Sequence, residues 1–169
     1  MATDLTAPLT LRTRGGSGES HSFRVANGVT IYNGSMVWHD TDAGAITSAT
    51  PTSSDLTARR YDFCGIATPP GNSVTGTSTG SVLCPVNCGG SVVEGIDVHT
   101  ADTQASEGNP VYARSNNFAD TGGPSVSVTS TSQRAIGYVL RWNSATNQDV
   151  KLFDASVAKT NKSGAHDPA

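Results

Sequence analysis

Charge is scarce in this chain of 169 residues: Asp, Glu, Lys and Arg make up 15%, and the formal net charge is −3. So weak and slightly negative a field excludes the basic surface that nucleic-acid binding needs. It equally excludes disorder of the highly charged kind. Lysine is confined to Lys151, Lys159 and Lys162. Hydrophobic residues are 36% and aromatics 6%, below the usual apolar share of a globular chain. The core is therefore expected to be small, with contacts to other subunits supplying part of the stability. No apolar run approaches the roughly 20 residues of a membrane helix, so no membrane partner is expected. The opening Met1-Ala-Thr-Asp-Leu-Thr has neither the basic nor the apolar region of a secretory signal. A protein made in the cytoplasm, and exported only if something else carries it, is the expectation. The 3 cysteines, an odd number, make no disulfide framework.

Reactive constellations are missing as well. Serines abound, but no Gly-x-Ser-x-Gly elbow occurs, and the 4 histidines are spread out. Nucleophilic catalysis needs a nucleophile, a base and an orienting group together, so no enzyme is expected. His39 with Asp40 and Asp42 fits a solvated turn. Arg14-Gly-Gly-Ser-Gly lacks the lysine and the following helix of a P-loop. Asn33-Gly-Ser and Asn161-Lys-Ser match the glycosylation acceptor; without a secretory signal both read as chance. Cys84-Pro-Val-Asn-Cys88 admits a zinc reading, with Cys64 or His99 completing a site, or a disulfide. Two packed thiols are the favoured alternative, because buried cysteine behaves as a small hydrophobe. No cofactor and no metal is expected.

What the chain does have is turns and short strands. It holds 18 glycines and 8 prolines, and no segment keeps a helical period over three turns. Val29–Tyr32 and Ser35–His39 flank Asn33-Gly34, the pattern of a two-residue hairpin with a type I′ turn. Asp40–Gly44 is a further turn. Strands are predicted at Tyr61–Ala67, Val82–Val86, Val92–Val98, Pro110–Ala113, Ala135–Trp142 and Val150–Phe153, with a loop over Thr68–Gly80. Asp55–Arg60 is a candidate for one helical turn. Many short strands with turn chemistry between them indicate an all-β barrel or sandwich. The chain divides into an arm (1–22), a β-rich domain (23–154) and a small, polar, mobile tail (155–169).

In the arm, Leu9 and Leu11 alternate with Thr10 and Arg12, a strand-like period of two. Arg14-Gly-Gly-Ser-Gly-Glu-Ser then reads as a flexible linker. A disordered terminus is one reading. An extended arm that adds a strand to a neighbour is the favoured one, with Leu5, Leu9, Leu11, Arg12 and Arg14 as its partner-binding residues. Trp38, Trp142, Tyr112 and Tyr138 could instead build a sugar-stacking platform, which keeps a carbohydrate-binding or adhesin module as the alternative. Packing in a core or subunit interface is the expected role of the two tryptophans.

The order and spacing of five segments, Phe23–Val37, Phe63–Ala67, Glu107–Phe118, Arg134–Leu140 and Asp149–Phe153, resemble the capsid decoration (cement) proteins of tailed bacteriophages. They include Gly-Asn-Pro-Val-Tyr at Gly108–Tyr112 and Arg-Ala-Ile-Gly-Tyr-Val-Leu at Arg134–Leu140; no single motif is diagnostic, and the order and spacing carry the resemblance. Cys84, Cys88 and the long Ser/Thr stretches fall outside the pattern. The resemblance implies a small β-barrel or β-tulip-like domain with an extended N-terminal arm. It implies no catalysis, and a homotrimer at three-fold and quasi-three-fold positions on the outer capsid surface of a virion. There it would bridge major capsid proteins and stabilise the expanded shell. A head–tail or tail-tube structural subunit is the other virion alternative.

Overall fold

The strand Met36–Asp40 (β4) is apolar on both faces: Met36 and Trp38 are buried in one core cluster, Val37 in another. Successive side chains point to opposite sides of a strand, so β4 has to be covered twice and the fold needs three layers. The computed structural model describes residues 5–16, 18–48, 61–97, 107–113, 126–127, 135–145 and 147–154.

One outer layer is an antiparallel six-stranded sheet. In spatial order it holds β1 (Thr13–Arg14), β9 (Val92–Asp97), β13 (Asn147–Leu152), β12 (Ala135–Ser144), β10 (Pro110–Ala113) and β11 (Val126–Ser127). The middle layer is an antiparallel five-stranded sheet of β2 (Ser20–Arg24), β8 (Leu83–Asn87), β6 (Tyr61–Ala67), β4 and β5 (Ala45–Thr47). The third layer is a two-stranded sheet of β3 (Thr30–Tyr32) and β7 (Ser73–Thr75). The expected all-β class holds, and no α-helix occurs among the described residues. Asp55–Arg60 and the tail over 155–169 lie outside those residues.

The first core lies between the two large sheets. Met36, Trp38, Phe63 and Ile66 face Val93, Ile96, Val111, Ala113, Ile136, Val139, Val150 and Leu152. The second lies under β3 and β7 and is made of Val25, Ile31, Val37, Ile46, Cys64, Ala67, Cys84, Val86 and Cys88. β6 serves both through a bulge. Val37 pairs with Gly65 and Trp38 with Phe63, which leaves Cys64 as the extra residue. The extra residue shifts the in–out alternation by one. Phe63 and Ile66 therefore reach the first core, and Cys64 and Ala67 the second. Gly65 sits at φ 131°, and a Cβ there would stand 2.0 Å from the Asn87 carbonyl oxygen. The close approach of β6 to β8 thus depends on glycine.

The edges of the middle sheet meet at one point. Val25 and Ile46 form a parallel bridge, and the Ala26 N–H donates to the Ile46 carbonyl at 3.0 Å. A single bridge is short of the continuous ladder of a closed barrel.

The Asn33-Gly34 turn departs from expectation. β3 pairs with β7 and β4 pairs with β5 and β6, so the turn does not close a hairpin. Only its second central residue, Gly34, has positive φ (84°), and the Ser35 N–H donates to the Tyr32 carbonyl at 3.1 Å. Positive φ at that position alone is the type II pattern. Its twist opposes that of a strand pair and splays the flanking strands, here into different layers. Asp40–Gly44 does close a hairpin, between β4 and β5. The Asp40 carboxylate accepts from the N–H groups of Asp42 and Ala43 at 3.0 and 3.3 Å. Five strands fall outside the predicted ones: β1 and β2 at the N-terminal end, β5 in the Thr/Ser-rich stretch, β7 in the expected Thr68–Gly80 loop, and β11.

Candidate binding site: the N-terminal arm and its seat

The arm residues lie on the body of their own chain. Leu9 and Leu11 are half-buried and pack against the first core. The Leu9 N–H donates to the Asn33 carbonyl at 2.9 Å, and the Asn33 side-chain amide donates back to the Leu9 carbonyl at 3.2 Å. Gly34 completes this seat. A Cβ at Gly34 would stand 2.4 Å from the Leu9 carbonyl oxygen, so the type II turn brings the arm in where no side chain blocks it.

Further along, the Glu94 N–H donates to the Arg12 carbonyl at 2.9 Å. β1 then pairs antiparallel with β9, Thr13 opposite Val93 and Arg14 opposite Val92. The arm has become the edge strand of the six-stranded sheet, an intramolecular case of strand addition. Arg14 Nε lies 2.5 Å from Glu94 Oε1, and Arg14 Nη2 lies 3.6 Å from Asp149 Oδ2. Asp149 is itself buried. Burial opposes its ionisation, but hydrogen bonds from Asn143 and the Gly95 N–H, with the charges of Arg14 and Arg141, outweigh it. The carboxyl is held below its ordinary range. Arg14 is 52% exposed, so its ion pairs contribute little and are screened by salt.

The five residues predicted from the sequence thus fall into two groups. Leu9, Leu11 and Arg14 are engaged with the body, and Leu5 is half-buried. Arg12 keeps its side chain exposed, as do Thr6, Ala7, Pro8 and Thr10. The seat itself, made of Asn33, Gly34, Glu94 and Asp149, was not legible. Asn33-Gly34 carried a signal, but for a hairpin; Glu94 and Asp149 carried none.

Among the described residues, no pair of the candidate aromatics Trp38, Trp142, Tyr112 and Tyr138 is found stacked together. Trp38 is 4% exposed and packs edge-on against Phe63, with ring centroids 6.1 Å apart. Tyr138 and Phe153 touch at 6.4 Å with planes inclined by 45°, whereas sugar faces call for coplanar rings. Trp142 is half-buried at the end of the first core's sheet, its backbone N–H donating to Glu107 Oε1 at 2.9 Å. Among the described residues, Leu83, Leu140 and Phe153 are the exposed large hydrophobics. Leu140 is pushed out because it is the extra residue between Val139 and Arg141 opposite β13.

All three cysteines are buried thiols outside any disulfide. Cys84, Val86 and Cys88 alternate onto the second core. Four residues of extended chain separate the two thiol positions by about 13 Å, beyond the reach of a disulfide. Burial pushes the Cys84 thiol up to about 11, although the Thr68 N–H pulls the other way. No cluster of three or more His, Cys, Asp or Glu that could hold a metal occurs among the described residues. Gln148, fully buried opposite Ile96, has neither side-chain amide atom hydrogen-bonded among the described residues. A buried amide in that state is uncommon, and the sequence offered no sign of it.

Comparison of the chain with protein-family models, with curated proteins and with solved structures finds no match.

Proposed function

We propose that this chain is a non-catalytic virion protein that decorates the outer surface of an expanded phage capsid and bridges neighbouring major capsid proteins. The observation that supports the reading is where the resembling segments fall. Phe23–Val37 spans β3 and parts of β2 and β4, and Phe63–Ala67 lies in β6. Glu107–Phe118 contains β10, residues 135–140 of the fourth segment lie in β12, and residues 149–152 of the fifth lie in β13. The likeness therefore falls on strands of both packed sheets, β4 and β6 of one and β10, β12 and β13 of the other, and not on β8 and β9. A small core divided over two clusters suits a protein whose stability is completed by trimerisation or by docking on a shell. The exposed side chains of Arg12 and its neighbours offer the polar, extended surface that such docking uses.

The test mixes purified protein with expanded, undecorated capsids and with procapsids. Binding to expanded capsids and not to procapsids is expected. Deleting residues 1–15 is expected to abolish it, and so is Arg12→Glu, which changes an exposed charge and leaves the arm's seat intact. Equal binding of the native chain, the deletion and Arg12→Glu would sink the arm's role. Failure of the native chain to bind any capsid would sink the function. Light scattering of the free protein should give a trimer; a stable monomer at micromolar concentration overturns that part.

A further inference from the structure

The arm is seated by contacts to the body of its own chain, yet it hangs on a glycine-rich segment. Its seat comprises the Asn33-Gly34 turn, the edge of β9 and the margin of the first core. Between β1 and Glu19 the sequence is Gly-Gly-Ser-Gly. Gly15, Gly16 and Gly18 have φ of 64°, 86° and 69°, conformations that L side chains rarely adopt. Around Gly15 and Gly18, among the described residues and apart from their chain neighbours, no atom lies within 4 Å of where a Cβ would stand. Gly16 alone is tied in, with the Gly89 carbonyl oxygen and Ser91 Oγ each 2.9 Å from its Cβ position. The segment also has a crossing to make: β1 belongs to the six-stranded sheet and β2 to the five-stranded one.

From this geometry we infer that the seat is an interaction surface for the arm of a second copy of this chain. In cis and in trans the arm makes the same bonds: Leu9 to Asn33, Arg12 to Glu94, β1 to β9, and Arg14 to Glu94 and Asp149. Only the path of residues 15–18 differs, so exchange carries no penalty in lost contacts. Local concentration sets the balance. A short flexible linker gives an effective concentration in the millimolar range, so at about 1 μM the cis form prevails by roughly a thousandfold. Where copies are packed with one arm beside the next copy's seat, as on a shell, the trans form competes on equal terms. The inference deepens the arm's proposed role by naming its partner as a second copy, and its test contains no capsid. Failure here therefore leaves capsid binding standing, and failure of capsid binding leaves arm exchange standing.

The experiment joins arm and seat across two full-length chains. One carries Arg14→Cys and the other Glu94→Cys; these side chains touch and are 52% and 37% exposed. The native thiols are buried. A chain with both substitutions, treated with a short bismaleimide, reports the cis geometry and calibrates the yield. Mixed single-substitution chains should give almost no covalent heterodimer at about 1 μM, and a yield near that of the cis control at about 1 mM. In a second pair, residues 15–18 are deleted. Arg14 then joins Glu19 directly, and one peptide step of about 3.8 Å does not cross sheets packed about 10 Å apart. Heterodimer should become the main product there even at about 1 μM, at least ~100-fold above the native linker, as expected when the millimolar cis competitor is removed. If the doubly substituted chain links internally while mixed native-linker chains give no heterodimer at about 1 mM, the inference is overturned. That concentration series decides the matter even if the deletion impairs folding.

Discussion

The two cores of this protein are built in different ways. Among the described residues the second draws on Phe23 to Cys88, one continuous span of chain, and is lined by valines, isoleucines, Ala67 and three thiols. The first holds Trp38, Phe63 and Met36, and it is complete only when β9, β10, β12 and β13 arrive from residues 92–152 and Leu9 and Leu11 from the arm. One core is local and the other is assembled from both ends of the chain. The arm belongs to the assembled core, so whatever loosens that core should loosen the arm. The second core should be indifferent to the arm's position.

The largest effect is expected where the two cores share a strand. Gly65→Val puts a branched side chain at φ 131° and drives its Cβ into the Asn87 carbonyl. Loss of the cooperative thermal transition and of near-ultraviolet dichroism is expected. A native-like melt would show that β6 need not approach β8 so closely.

Next come paired truncations, one in each core. Ile136→Ala and Ile31→Ala remove fully buried side chains, and each is expected to cost about 2–5 kcal/mol in urea unfolding. The pair separates the cores through a second readout. Ile136→Ala should speed proteolysis within residues 5–14, and Ile31→Ala should not. Equal release of the arm by both variants would dissolve the distinction.

A smaller effect singles out the second core. The Cys84 pKa is raised in the folded protein to about 11, above its unfolded value near 8.5. The unfolded chain therefore loses its proton first as pH rises. Stability is fully present below the unfolded value and falls between about pH 9 and 11. Cys84→Ala should flatten that part of the pH profile, measured by denaturant unfolding, while lowering stability throughout. An unchanged slope would remove Cys84 as its source.

The smallest effect concerns the arm's ion pairs. Arg14→Ala is expected to cost less than about 1 kcal/mol near neutral pH, because the guanidinium is half exposed. The folded pKa of Asp149 is depressed, so its contribution is present above the ordinary carboxylate value and lost as pH falls through the folded one. Removing Arg14, one of the charges that depress it, should make this acid loss shallower. A large neutral-pH effect would mean that the arm is held by charge and not by Leu9 and Leu11.

Much of the fold was legible because strands buried on one or both faces are dense in β-branched and aromatic residues. Pro110–Ala113 was predicted with the observed bounds, and Tyr61–Ala67 likewise. β5 was hidden because Ala45-Ile46-Thr47 is too short and mixed to show a period. β1 falls in the stretch whose sequence suggests a partner-seeking arm. Thr13-Arg14 has no apolar side chain, and its role as a strand depends on an edge supplied by β9. The Asn33-Gly34 dipeptide was misread for a related reason: the same two residues can close a type I′ hairpin or a type II turn. Which forms depends on whether the flanking strands pair with each other or with more distant strands.

By itself the sequence determined the all-β class, the turn at Asp40–Gly44 and the apolar faces to be buried. These follow from periods of two and from residues that tolerate or avoid particular backbone angles, both properties of neighbouring residues. The tertiary structure alone decided that β4 lies between two cores, that Gly65 is needed, and that the arm sits on the Asn33-Gly34 turn beside β9. Each of those depends on a close approach between segments far apart in the chain, such as Leu9 to Gly34 or Gly65 to Asn87. Such distances leave no periodic trace in the sequence.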